Sequence, residues 1–390
     1  MKTQIQKLAD DFTPEIIQIR RALHSNPELS FKEYDTAELI EEILLSWNIE
    51  SSRIADTGVT ALIKGNGKGR YVVLRADMDA LPITQESDKP YQSKNPGIMH
   101  GCGHDVHAAS LLGTAKILHN LRHSFKGTVR LLFQPGEELL PGGALKILES
   151  GLLDQPKPDC IIAQHVYPEL PAGEAGFRGG AYMASADEIY IEIRGIGGHG
   201  GLPHKLIDPV LIASNLVVNL QHVITRRLPA EIPAVLSFGK FDAPGATNVI
   251  PPVVKLEGTF RTFDETWRKK AHEEILKTAE GLVKAMGGEV SCRIVEGYPA
   301  LTNDPGTTRQ VRDAAVRYLG PEKVRDLQMR MTSEDFARYA RVIPGVFYRL
   351  GTGSETTSFP VHHPQFDVDE SALTTGMGLM AFMTVDLLGK

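Results

Sequence analysis

Residues 70–83 read RYVVLRADMDALPI, an apolar run that ends in two acids and a proline. Tyr and Val in such a run favour a strand, and a proline just beyond it helps to end the strand. Strands and helices alternate around it. VTALIKG (59–65) is a strand before it, and HAASLLGTAKILHNL (107–121) is a helix after it. TVRLLFQ (128–134) then reads as a strand, GGALKILESGLL (142–153) as a helix and DCIIAQHV (159–166) as a short strand. Residues 1–24 and 34–48 place apolar side chains at three- and four-residue steps, the helical period. The alternation predicts an α/β fold with a mostly parallel or mixed central sheet flanked by helices.

After residue 184 the pattern changes. EIYIEIRG is a strand, DPVLIASNLVVNLQHVITRR a long helix, and AVLSFGKFDA and VVKLEGTFRTF are two strands. ETWRKKAHEEILKTAEGLVKAMG is a second long helix, and EVSCRIVEGY a closing strand. The order βαββαβ is that of a ferredoxin-like unit. The expectation is a small domain inserted at 184–297, with 1–183 and 298–390 forming one larger domain.

The chain has 390 residues, 42% hydrophobic and 23% charged, which suits a globular protein of two domains. A net charge of −6 gives no electrostatic reason to expect nucleic acid or an anionic membrane as partner. No run approaches the roughly 18 apolar residues of a membrane helix, and the first residues do not read as a signal peptide. Cys102, Cys160 and Cys292 are odd in number and widely spaced, which argues against a disulfide framework. A soluble cytoplasmic protein is expected.

Five polar stretches fall at strand ends or loops, where open α/β sheets gather their active sites. They are LRADMDALPI (74–83), MHGCGHDVH (99–107), QPGEE (134–138), AQHVYP (163–168) and VHHPQF (361–366). Cys102 and His104 stand two apart, so on extended backbone they share a face, just ahead of a helix whose positive end favours a thiolate. The alternative is a loop with a buried thiol and solvated imidazoles. In QPGEE one carboxylate can bind a metal while its neighbour acts as a base, or both can point to water. His165 reads as a metal ligand or a satisfied core histidine. Of His362 and His363, only one can face a shared site. Asp77 and Asp79 are candidate ligands, acceptors that orient a histidine, or turn caps. Taken together, one Cys, several His and at least three carboxylates suffice for two metals.

These stretches, in this order, resemble the amidohydrolase branch of the aminoacylase and carboxypeptidase family of dimetal hydrolases. The resemblance runs from HSNPELSFKEYDTA (24–37) to VHHPQFDVDE (361–370), through MHGCGHDVHAA, GGHGGLPHKLIDP and TNVIPPVVKLEGTFRTFDE. It implies hydrolysis of N-acyl amino acids such as N-acetyl or N-benzoyl derivatives, with dipeptidase or carboxypeptidase activity as the alternative. It implies two divalent ions (Zn, Mn, Co or Ni) bridged by Cys102 and held further by His104, Glu138, His165 and His362. Glu137 matches the general base and Asp79 the supporting acid, while Asp77 is not a ligand in this branch. The insert matches a lid and homodimerisation domain, in which His199 reaches the scissile carbonyl's oxygen and Asn248 and Arg261 contact substrate. Gly136 stands where Ala is common, and His363, beside His362, is a competing ligand. A binding protein that has lost its chemistry is disfavoured by Glu137, and a thiol redox protein by the lack of a second Cys near Cys102.

Overall fold

A computed structural model describes residues 1–357 and 359–389. The chain divides into two compact units. One comprises Met1–Gly180, Thr302–Gln328 and Asp335–Lys390, the other Ala181–Leu301 and Met329–Glu334. The expected boundaries did not anticipate Met329–Glu334 in the second unit. This short stretch is held there by a bridge between Met183 and Arg330 and by Arg261 Nη1, which donates to Met331 O at 2.9 Å.

The first unit is built on an eight-stranded mixed sheet. The strand Tyr71–Asp77 is buried along its whole length. It runs parallel to Thr128–Gln134 on one side and to Cys160–Pro171 on the other, and Cys160–Pro171 runs parallel to Gly345–Gly353. Gly58–Lys64 and Ser51–Ile54 extend one side antiparallel, and Ala175–Phe177 pairs antiparallel on the other. A centre of parallel strands explains why RYVVLRA does not alternate with polar residues: both its faces are covered. The helices Lys2–Ser25, His104–Asn120 and Ala372–Leu388 pack together. Their side chains Ile16, Leu112 and Met377 join Leu74, Leu131 and Ile162 of the sheet in one core. The strand after residue 159 runs well past His165, because its pairing with Gly345–Gly353 continues through Tyr167.

The second unit holds a four-stranded antiparallel sheet in the order Glu289–Glu296, Asp187–Arg194, Val253–Thr262, Ala234–Asp242. The helices Pro209–His222 and Glu265–Ala285 cover one face, burying Ile212, Leu216, Trp267 and Ile275 with Ile189, Ile191 and Phe260. Both helices begin at an aspartate that caps them: Asp208 accepts from Val210 N and Leu211 N, and Asp264 from Trp267 N. Among the described residues no helix is long and apolar enough to cross a membrane.

Candidate metal centre

Parallel strands deliver their carboxyl ends to one side of the sheet, and the first unit uses that side. Asp77 closes its strand opposite Gln134, which closes the neighbouring one, and Asp79, Glu137 and Glu138 follow in the loops. Cys102 and His104 are not on extended backbone, as their spacing suggested. A turn carries Cys102, and Gly103 in the left-handed region (φ 81°) starts the helix His104–Asn120. A Cβ at Gly103 would stand 2.6 Å from Val166 Cγ2, so both the dihedral and the space require glycine. Gly136 is a second such position. Its φ is 58° and a Cβ there would come within 2.4 Å of the Phe31 ring, which accounts for glycine in QPGEE.

This framework brings Cys102, His104, Glu138, His165 and His362 together. Cys102 Sγ lies 3.4 Å from His165 Nε2 and 3.3 Å from His362 Nε2. Glu138 Oε1 lies 3.4 Å from His362 Nε2 and 3.8 Å from His104 Nε2. Glu137 is buried and joins His104 and Glu138 in a group whose donor atoms all lie within 4.8 Å of one another. His362, half-exposed, adopts a left-handed φ of 67°, a conformation that strains a residue with a Cβ. His363 turns elsewhere: its Nδ1 accepts from Gln365 N at 3.1 Å and its ring stacks on Phe359.

Around these side chains is a buried polar frame. His104 Nδ1 donates to Asp79 Oδ1 at 3.1 Å, while Asp79 Oδ2 accepts from Ser30 Oγ and from Glu138 N. Asp77 accepts from Arg75 Nη1 at 2.6 Å and from His107 Nδ1 at 2.5 Å. Arg75 also donates to Gln134 and to Asp335, whose own N–H faces Glu137 Oε1 at 3.4 Å. Burial works against ionisation of Asp77, yet Arg75 and the nearby imidazoles hold its carboxyl well below the usual range.

Arg75, His107 and Asp335 were not singled out from the sequence. Arg75 had a signal, since an arginine inside a fully apolar strand must find a buried carboxylate. His107 stands three residues after His104, on the same helix face. Asp335 had none.

The donor set fits cations. His104 Nε2 and Glu138 Oε1 are buried and have no hydrogen-bond partner among the described residues, which is costly unless something positive meets them. Burial pushes the Cys102 thiol up and Glu138 adds to the effect, so a thiolate here calls for nearby positive charge. One thiol, three imidazoles and a carboxylate are ligands suited to zinc and neighbouring transition metals.

His199, Asn248 and Arg261 all belong to the second unit. His199 sits on a two-residue ladder, Gly198–His199 against Val249–Ile250, and is exposed, as is Asn248. Asn248 O accepts from Gly200 N at 2.9 Å, and His199 Nδ1 accepts from Gly201 N at 3.0 Å. That contact leaves the ring's proton on Nε2. Arg261 is half-buried on the strand Val253–Thr262.

Residues 73–384 match peptidase family M20/M25/M40. The chain belongs to this family. It is 43% identical over 326 residues to the N-acyl-L-amino acid amidohydrolase of Geobacillus stearothermophilus, covering 82% of this chain and 88% of that protein. With N-acetylcysteine deacetylase of Bacillus subtilis (strain 168) it shares 40% identity over 380 residues, 97% of this chain and 98% of the relative. The crystal structure of the Bacillus subtilis YXEP protein, described as a dinuclear metal binding peptidase from the M20 family, superposes with a TM-score of 0.82. Its identity is 36% over 97% of this chain and 99% of that one. The chain is therefore a hydrolase, of a family with dinuclear metal-binding members, and its buried donors are of the kind such a centre uses.

Proposed function

We propose that this protein is a metal-dependent amidohydrolase that splits N-acyl amino acids into a carboxylate and a free amino acid. The observation that carries the reading is a buried carboxylate, Glu137, beside His104 and Glu138 in a donor set that includes Cys102. In this reading Cys102, His104, Glu138, His165 and His362 would hold two divalent ions (Zn, Mn, Co or Ni). Such ions supply Lewis acidity, which polarises the acyl carbonyl and makes water acidic enough to react near neutral pH.

The remaining work falls to side chains. Glu137 takes a proton from the attacking water and returns it to the leaving nitrogen. Asp79, through His104 Nδ1, keeps that ring's Nε2 unprotonated. The Nε2 proton of His199 donates to the oxygen of the scissile carbonyl as charge develops there. The fork of Arg261 suits the substrate's carboxylate, and Asn248 adds a polar contact. We read 184–297 as a ferredoxin-like lid and homodimerisation domain inserted between the two parts of a catalytic domain, 1–183 and 298–390. The strand order of its antiparallel sheet supports the ferredoxin-like part of this reading. A small-molecule substrate and a cytoplasmic site of action complete the reading.

The test is hydrolysis of N-acetyl and N-benzoyl amino acids and of dipeptides, with Mn, Zn or Co added. Metal-dependent release of free amino acid from the acyl substrates is expected. Glu137→Gln is expected to lower kcat by roughly 100- to 10,000-fold. Release from dipeptides alone would favour the peptidase alternative, and full turnover in Glu137→Gln would remove the base from the scheme.

A further inference from the structure

Asp77, His104 and His107 also lie close enough to hold an ion. Their hydrogen bonds assign them a different task. Val166 is held through both of its backbone groups, one in each of the two peptides that flank its Cα: its N–H donates to His107 Nε2 at 2.9 Å, and its carbonyl accepts from His165 Nδ1 at 2.8 Å. Because His107 Nε2 must accept, its proton sits on Nδ1 and goes to Asp77 Oδ1. Because His165 Nδ1 donates, its lone pair sits on Nε2, the atom that faces Cys102 Sγ. Asp77 is fixed in turn by Arg75, and Arg75, Asp77 and His107 are all fully buried. The lone pair of His107 is thus already spent on a backbone N–H and is not offered to a cation.

We propose that His107 is a positioning residue. By accepting from Val166 N it fixes the backbone at Val166, and the carbonyl of that residue sets both the tautomer and the direction of His165. The inference rests on the reading of His165 as a ligand. It needs no chemistry from His107 itself, only a buried acceptor at the position of its Nε2. A partner of this kind typically changes metal affinity by roughly 10- to 100-fold.

Three variants separate the contacts. Glutamine places an acceptor near the Nε2 position, asparagine a donor near the Nδ1 position, and leucine fills space with neither. Binding of Zn(II) alone, and of Co(II) alone, is measured on the full chain by equilibrium dialysis. The Co(II) absorption spectrum reports thiolate and imidazole ligation, and circular dichroism melts in chelator check the fold. His107→Leu and His107→Asn are expected to weaken one of two bound ions by roughly 10- to 100-fold and to alter the cobalt spectrum. His107→Gln is expected to restore both. Two ions held with unchanged affinity in folded His107→Leu would overturn the proposal, as would a folded Gln variant as poor as Leu. Fewer than two ions on the wild-type chain would instead overturn the two-ion reading on which the proposal rests.

Discussion

The donor cluster of the first unit and the His199 ladder of the second present polar side chains in opposite ways. Asp77, Asp79, His104, His107 and Glu137 are buried, and each hydrogen bond on Asp77 or Asp79 comes from a group fixed by a strand, a helix or a loop packed against them. His199 is exposed on a two-residue strand between glycines, Asn248 is exposed in the turn before the paired strand, and backbone contacts anchor both. The difference shows which task each arrangement suits. Buried donors with no freedom are preorganised for a charge that arrives repeatedly in one place. An exposed imidazole held through its Nδ1 keeps one fixed tautomer while its position can adapt.

The largest effect expected from testing this contrast is in catalysis without metal loss. His199→Ala should lower kcat by roughly 100- to 1,000-fold with the bound metal content unchanged. A matching loss of metal would put His199 on the other side of the comparison.

The second unit has its own buried charge. Asp187 accepts from Arg268 Nε and Nη2, from His272 Nε2 at 2.7 Å and from Gly297 N, with Glu265 beside Arg268 and Glu296 beside His272. Asp187→Asn should cost about 3 kcal/mol of stability by urea unfolding, since Arg268 loses its fully buried carboxylate and is left with the partly exposed Glu265. Burial tends to raise the Asp187 carboxyl, but His272 and Arg268 hold it below its ordinary 3.8. A folded value lower than the unfolded one means that this stability is complete above pH 3.8 and fades as pH falls through the folded value. The gap between wild type and variant should therefore narrow below pH 3.8, as Asp187 takes up its proton. A gap that is unchanged in acid would show that the ionic contact is not what stabilises this unit.

Smaller effects sharpen the picture of the first unit. Gly103→Ala should cost about 2 kcal/mol, combining left-handed strain with the clash on Val166, seen as a lower Tm in chelator. His363→Ala should change stability by under about 0.5 kcal/mol and leave metal stoichiometry intact, because its ring stacks on Phe359 rather than facing Cys102. Loss of an ion in that variant would make His363 the ligand.

Much of this was legible before any coordinates. The apolar run before Asp77 needed only its composition to be read as a strand, and QPGEE needed only the mutual repulsion of its acids to suggest a cation. The spacing of Cys102 and His104 suggested side chains aligned on extended backbone, and the structure arranges them differently. Both reach the cluster because Gly103 turns left-handed at a helix start, not because an extended chain aligns them. Arg75 was overlooked as part of an apolar strand, although a buried guanidinium is itself a signal. Asp335 left no trace, since its partners Arg75 and Gln134 lie some 260 and 201 positions away.

The amino-acid sequence by itself determined which segments are strands and helices, which side chains are able to bind a cation, and which family motifs they compose. Periodicity and residue chemistry act within a few positions, so they are written locally. Only the tertiary structure decided that Asp77 accepts from His107, that His362 and not His363 turns to Cys102, and that Met329–Glu334 joins the second unit. Those outcomes depend on strand register and on helices docking across the chain. There the need to satisfy every buried donor and acceptor at once selects one arrangement from many that the local pattern allows.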